Sequence, residues 1–434
     1  MADGARLSGP APARRPTPPA APRETRRARP AWATWALVRL RLTPWWLRVA
    51  VVWALSRVVT TAILLAAAHA QVANPWTGPG PSYGSFASIW DGHWYYIIAV
   101  SGYPTELPVA DWGGVGENAW AFLPVYPFLA RAVMALTGLS FEAVGPGIAL
   151  VFGLGCALVL HRLLSRVLGE GRALGAVVLF CFAPLSAILQ VAYAESLALF
   201  LLLLALLFVV ERRYVLLVPV LPVMALTRPS GLAFALFLAL HFAQRWWVRR
   251  RDPFPLVERL EVAGVAIWSG IAGLAWPAIA WAVTGSPTAY TDTELAWRVP
   301  YIGVQHLLPF APWIQGAEWW LRWFVARELA LPLGLVLLAV VVGGYVAFLL
   351  TPWARRLGPE LRLWLVAYPV YLLAVFFPQS STFRLLVPLA PGLGALAVPR
   401  SRAWIVLLAA LGVGGQILWV HWCWQVLPPD WSPP

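Results

Sequence analysis

The chain contains no lysine, only three cysteines, and few charges of any sign, with 12% of its 434 residues charged. A soluble domain carries about 25% charged residues, so an ordinary water-facing surface is excluded. Cys156, Cys181 and Cys423 are far apart and lack metal-ligand spacing. That rules out a disulfide framework or a zinc site and leaves three small buried hydrophobes. No period-2 strand pattern occurs, which removes both a membrane β-barrel and a dinucleotide fingerprint placed after a strand. Basic patches interleaved with aromatics are also missing, so no nucleic acid is expected as a partner.

Apolar residues are abundant: 60% of the chain is hydrophobic, and mean hydropathy is +0.70. A helix needs roughly 20 apolar residues to cross the hydrocarbon core, and only helices satisfy their own backbone there. The expected fold class is therefore an all-α polytopic membrane protein whose partner is the lipid bilayer. About eleven spans are expected, at 49–70, 142–163, 173–190, 195–211, 214–227, 231–243, 260–283, 329–350, 363–377, 384–399 and 403–420. The stretch 122–138 is interrupted by Pro124, Pro127 and Arg131 and reads as an interfacial helix.

Residues 1–47 read as a disordered basic cytoplasmic tail, 48–420 as the membrane domain, and 421–434 as a short external tail. The first apolar run begins too late for a typical cleaved signal peptide and reads as an uncleaved anchor. Arginine placement orients the spans, because short cytoplasmic loops hold the positive excess. With the N-terminus cytoplasmic, twenty-five of the 32 arginines fall inside. The short stretch between Arg213 and Arg245 must then cross twice, with a break at Thr227-Arg228-Pro229-Ser230-Gly231.

In that topology the unusual polar sequences share the external face. The first outside loop, about 72–121, contains Asp91, Glu106, Asp111 and Glu117 and no arginine. Within it, Trp90-Asp91-Gly92-His93-Trp94-Tyr95-Tyr96 sets a carboxylate among aromatic rings. Such a group suits a sugar, whose apolar faces stack while its hydroxyls need acceptors; an aromatic belt beside a solvated Asp is the plainer alternative. Glu195 opens a span and could simply cap its helix. Arg228 is costly at membrane depth and calls for an anion, either a phosphate or a carboxylate such as Glu195. Pro378-Gln379-Ser380-Ser381-Thr382-Phe383-Arg384 adds hydroxyls and a second arginine. The second large outside loop, about 284–328, reads as an amphipathic surface loop, with Asp292, Glu294 and Arg298 in it. Arg57 lies within the first span and is expected to face the bundle.

These stretches resemble the PIG-V branch of the GT-C glycosyltransferases, which includes the eukaryotic transferase of the second mannose in GPI-anchor synthesis and many actinobacterial relatives. The resemblance lies in WDGHWYYIIAVSGYP (90–104), AFLPVYPFLARAV (121–133), YAESLALFLLL (193–203), ALTRPSGL (225–232) and SSTFRLLVPLAP (380–391). It implies a GT-C-like helical bundle with a large first external loop carrying an active-site carboxylate, which Asp91 matches. It also implies a polyprenyl-phosphate sugar donor, usually of mannose, and no nucleotide. The arginine-only, alanine-rich composition suggests a bacterial member, with a lipid-linked or glycan acceptor of the cell envelope. Ala99-Val100-Ser101 stands where relatives usually carry an acidic or His-containing tripeptide.

The expected activity is hexosyl transfer by a multi-pass cell-membrane enzyme on the external face. Asp91 is the candidate general base, and Arg228 and then Arg384 are candidates to hold the leaving phosphate. Trp90, His93, Tyr95, Tyr126 and Glu195 complete the expected substrate-binding set. No cofactor is expected; a divalent metal is possible but not indicated. The alternatives are another donor sugar, protein hydroxyls as acceptor, or a lipid-glycan transporter or flippase. A transporter would be expected to carry paired broken helices, and only one clear break is visible.

Overall fold

The computed structural model describes residues 43–399 and 401–427. Residues 1–42 of the expected tail, and 428–434 of the expected external tail, lie outside the described residues. The chain is an all-α polytopic membrane protein. No strand occurs among the described residues; one isolated bridge joins Val109 and Val115.

Among the described residues, six helices are long and apolar enough to cross a membrane. They are α1 (Trp45–His69), α4 (Phe141–Leu168), α8 (Gly231–Val248), α9 (Leu256–Thr284), α12 (Arg327–Leu350) and α14 (Arg402–Trp419), the last continuing to Trp424 in a wider turn. Between them lie α2 (Asp91–Ser101), α3 (Val125–Thr137), α5 (Glu170–Cys181), α6 (Glu195–Val210), α7 (Leu217–Ala225), α10 (Ala289–Ala296), α11 (Ala311–Leu321) and α13 (Gly358–Val375).

The other five expected spans take shorter, broken or less apolar forms, each for a physical reason. The run 173–190 is not one helix: α5 ends at Cys181, Pro184 follows, and a 3₁₀ turn covers Ser186–Gln190. Proline cannot continue the ladder and leaves carbonyls free. Arg57 takes them. From within α1, Nη1 donates to Ser186 O at 2.9 Å and to Gln190 Oε1 at 3.0 Å, while Nη2 donates to Cys181 O at 3.1 Å. The run 384–399 is likewise broken into Thr382–Leu385, Val387–Gly392 and Leu393–Leu396, around Pro388, Pro391 and Gly392. The break after α7 falls at Leu226–Ser230, and α8 beyond it is longer than expected, reaching Val248.

The stretch 122–138 forms α3, whose 13 residues rise about 20 Å, too short for a hydrocarbon core of about 30 Å. Its Arg131 reaches back to the carbonyls of Ala99 and Val100, at 2.5 and 2.8 Å. A cation there satisfies the last turn of α2 and complements its dipole.

The bundle has two chemically different ends. At one, the arginine-rich turns pair with acids: Arg48 with Glu170 at 3.1 Å, Arg166 with Glu211, and Arg245 with Glu258 at 3.0 Å and with Asp252. At the other, α2, α6 and α8 all begin, with Asp91, Glu195 and Gly231 as their first residues. Here α8 and α9 approach to backbone contact: Ser269 Oγ donates to Gly231 O at 2.8 Å, and a Cβ on Gly231 would lie 2.6 Å from Gly273 Cα.

The second large loop differs from the expected surface segment. Its α10 docks through Thr293, which is fully buried and takes a 2.9 Å hydrogen bond from Asn118 of the first loop. Trp276 and Trp120 lock the same seam, Trp276 Nε1 donating to Trp120 O at 2.9 Å.

Candidate active site

Asp91 enters the site through a strained step. Trp90 has φ 59° and ψ −126°, a region L-residues rarely adopt. The conformation is held in place by burial of the ring, by Trp90 Nε1 donating to Trp424 O at 2.8 Å, and by the Trp76 ring at 4.5 Å. Immediately afterwards the Asp91 N–H donates to Tyr193 Oη at 3.2 Å. The segment bearing Tyr193 is itself tied down, Ala192 N donating to Ala87 O at 2.8 Å.

Around Asp91 the fold assembles two carboxylates and two guanidiniums. Arg384 Nη1 pairs directly with Asp91 Oδ2 and lies 3.5 Å from Glu195 Oε1. Arg228 Nη2 pairs directly with Glu195 Oε1 and lies 3.6 Å from Asp91 Oδ2. Arg384 also rests over the Tyr193 ring, 5.2 Å from its centroid. All four side chains are largely shielded from solvent, with Glu195 6% and Asp91 13% exposed. Formal charges cancel within the quartet, which is what keeps four buried ions tolerable.

The N-terminal ends of α2, α6 and α8 converge here. The positive dipole end of each helix favours negative charge, so Asp91 and Glu195 sit where a carboxylate is stabilised. The same field suits an incoming phosphate, and the guanidiniums supply planar donors that match its oxygens.

The structure thus brings together Asp91, Glu195, Arg228 and Arg384 out of the expected set. Tyr95 joins them from below: it is fully buried, and its Oη has no hydrogen-bond partner among the described residues. Trp90 stands behind Asp91 as a support. Tyr126 is buried, packs edge-on against Tyr95 with ring centroids 4.8 Å apart, and donates its hydroxyl to Gly145 O at 3.0 Å. His93 lies on the exposed side of α2, against Tyr96. One residue was missed in the sequence. Tyr193 stands two positions before Glu195 at the start of the quoted YAESLALFLLL, where an aromatic beside a carboxylate was the available signal.

Among the described residues no group of three or more His, Cys, Asp or Glu side chains is arranged to hold a metal ion.

No protein-family model matches this chain, and no curated protein matches it either. Among solved structures, it is similar to the Archaeoglobus fulgidus oligosaccharyltransferase in complex with zinc and sulfate, at 14% identity and a TM-score of 0.42, over 83% of this chain and 52% of that one. It is also similar to the same enzyme tethered to an acceptor peptide containing the NVT sequon, at 13% identity and a TM-score of 0.37, over 84% and 54%. A third is AglB from that organism with an inhibitory peptide and a dolichol-phosphate, at 13% identity and a TM-score of 0.33, over 84% and 50%. The chain spans about half the length of these structures, and at such TM-scores the likeness carries no argument about activity.

Proposed function

We propose that this protein is a membrane glycosyltransferase that moves a sugar, mannose by the resemblance, from a polyprenyl-phosphate donor to a hydroxyl of a cell-envelope glycan or glycolipid on the external face. One observation carries the reading: a charged anchor and an apolar groove meet within a single turn. Arg384 stands in the quartet, while its neighbours Phe383 and Leu386 line a cavity of about 590 Å³ walled by Leu189, Leu393, Leu418 and Trp422. A lipid phosphate asks for this combination, a cation for its head and a long apolar wall for its tail.

Chemically, transfer forms a bond between the acceptor oxygen and the anomeric carbon, breaks the bond from that carbon to the phosphate oxygen, and releases the acceptor's proton. Both arginines bind Asp91 through Oδ2, and Oδ1 accepts no hydrogen bond from any described residue. That second oxygen is the atom suited to take the proton, as general base. Arg384 and Arg228 neutralise the charge that develops on the phosphate. Glu195 holds Arg228 in place. One working carboxylate predicts inversion at the anomeric carbon.

The test is transfer of radiolabel from polyprenyl-phosphate mannose into a lipid extract of a strain lacking the gene, by the purified protein in nanodiscs. Incorporation that is lost in Asp91→Asn is expected. Wild-type protein that leaves every labelled donor intact, yet moves a lipid-linked glycan between leaflets of proteoliposomes, would show a transporter instead.

A further inference from the structure

We infer that Glu294, Trp297 and Tyr95 form the acceptor side of this site and bind an uncharged sugar through its hydroxyls, so that the acceptor's reacting residue is a neutral glycan unit, not a phosphate or carboxylate headgroup. The inference rests on the glycosyltransferase reading and adds to it the chemical class of the second substrate.

The geometry starts from α10. Buried Thr293 pins the helix to Asn118, and Trp297 just after it packs edge-on against Trp94 at 5.9 Å and Phe122 at 6.0 Å. Trp94 belongs to α2, the helix that begins with Asp91. Tyr95 packs against the opposite side of the seam, 5.4 Å from the same Phe122 ring. Glu294 lies one turn before Trp297 and therefore on the same face of the helix. That face is the one on which Trp297 meets Trp94, three positions after Asp91 on α2.

Three features separate Glu294 from the other acids here. It makes no ion pair within 4 Å among the described residues, whereas Asp91 and Glu195 are both engaged by arginines. The hydroxyl of Tyr290, one turn earlier, interacts with it. Burial pushes its carboxyl above the usual range; Arg298, Tyr290 and Arg228 pull it back, Asp91 adds to the rise, and Tyr371 of α13 faces the same group. Alongside it, Trp297 Nε1 and Tyr95 Oη are buried and have no hydrogen-bond partner among the described residues. Buried polar groups are nearly always paired, so two orphans on one aromatic seam call for a ligand.

The chemistry of the set selects that ligand. An ionised carboxylate only accepts hydrogen bonds, an indole N–H only donates, and a phenol does both. Sugar hydroxyls both donate and accept, and the indole and phenyl faces of Trp94, Trp297 and Phe122 offer the stacking surface a pyranose uses. An anionic acceptor would meet Glu294 head on; Arg228 and Arg384 are committed to Asp91, Glu195 and the donor phosphate, and Arg298 donates to Val375 O at 2.6 Å.

The experiment compares wild type, Glu294→Gln and Trp297→Phe in nanodiscs, with polyprenyl-phosphate mannose as donor and a short-chain alkyl mannoside as acceptor probe. Expected are a rise in the acceptor KM of at least tenfold for Glu294→Gln and severalfold for Trp297→Phe, with donor KM and kcat changed less than about twofold. In wild type the acceptor KM should fall as pH rises through the Glu294 titration, and in Glu294→Gln it should be flat. Unchanged acceptor KM in both variants, or loss confined to kcat, overturns the proposal. If wild type transfers nothing but binds the radiolabelled mannoside saturably, and Glu294→Gln abolishes that binding, the subsite stands and the transferase reading fails. Neither transfer nor binding removes both.

Discussion

Asp91 and Arg384 lie 293 positions apart in the chain and form a direct ion pair at the mouth of three helix N-termini. The pair links the first loop to the broken segment near the end of the membrane domain, and the two halves should fail differently. Asp91→Asn keeps the shape but removes the proposed base, so transfer should fall about 10²- to 10⁴-fold while donor binding survives. Arg384→Lys keeps the charge but loses the planar fork, so it should weaken donor binding by about tenfold or more. Equilibrium binding of labelled donor, read beside single-turnover transfer, separates the two; Asp91→Asn with normal turnover removes that residue from the base role.

Glu195 and Arg228 give a second test, because their direct contact turns a cap into a structural partnership. Removing one member of a buried pair leaves the other unpaired, which costs about 3–5 kcal/mol. Glu195→Arg and Arg228→Glu should each lower the thermal midpoint sharply and reduce the folded fraction on size exclusion. The double exchange should recover part of the loss, with coupling of about 1–3 kcal/mol. Strict additivity in the double variant would argue that the contact contributes nothing.

Much of this was legible from local sequence, and the rest was not for identifiable reasons. Arg228 stands out because a charge at membrane depth is costly, Asp91 because it is set among aromatic rings, and Glu195 and Arg384 because they stand at the edges of apolar runs. Which arginine meets which carboxylate was not legible: Arg228 was matched to Glu195, but the pairing of Arg384 with Asp91 depends on packing between distant segments. Hydropathy likewise located 173–190 and 384–399 as apolar and read them as spans. It could not weigh Pro184 or Pro388 against neighbours that donate to the freed carbonyls, as Arg57 does to those of Cys181 and Ser186. Glu294 was passed over because its helix is polar on the outside and its buried face is defined only by Asn118, Trp94 and Phe122, residues from elsewhere in the chain.

Arg57 therefore makes a third prediction. Its guanidinium satisfies carbonyls and a side-chain amide where α5 gives way to the 3₁₀ turn, a stretch leading directly to Tyr193 and Glu195. Arg57→Met fills similar space but leaves Ser186 O and Gln190 Oε1 without this donor, at about 1–3 kcal/mol each, while Cys181 O keeps its bond from Ser186 Oγ. Hydrogen exchange should quicken over residues 183–194 before any global unfolding, and transfer should fall in step. Exchange that speeds uniformly along the chain would mean that Arg57 stabilises the whole bundle and not this turn.

The contact between α8 and α9 makes the fourth. A methyl group on Gly231 would lie 2.6 Å from Gly273 Cα and 2.7 Å from Gly273 N, and one on Gly273 would meet Leu232 N at 2.7 Å, all backbone atoms that cannot turn aside. Either helix must move outward, and overpacking of this kind costs about 1–3 kcal/mol. Arg228 precedes Gly231 by three residues, so a shift at the start of α8 carries the guanidinium away from Glu195 and Asp91. Gly231→Ala and Gly273→Ala should thus lower transfer more than Gly147→Ala, where a Cβ meets nothing within 4 Å. The informative quantity is activity at a temperature well below each variant's thermal midpoint. A Gly231→Ala protein that is destabilised yet fully active there would show that the helix contact does not set the position of Arg228.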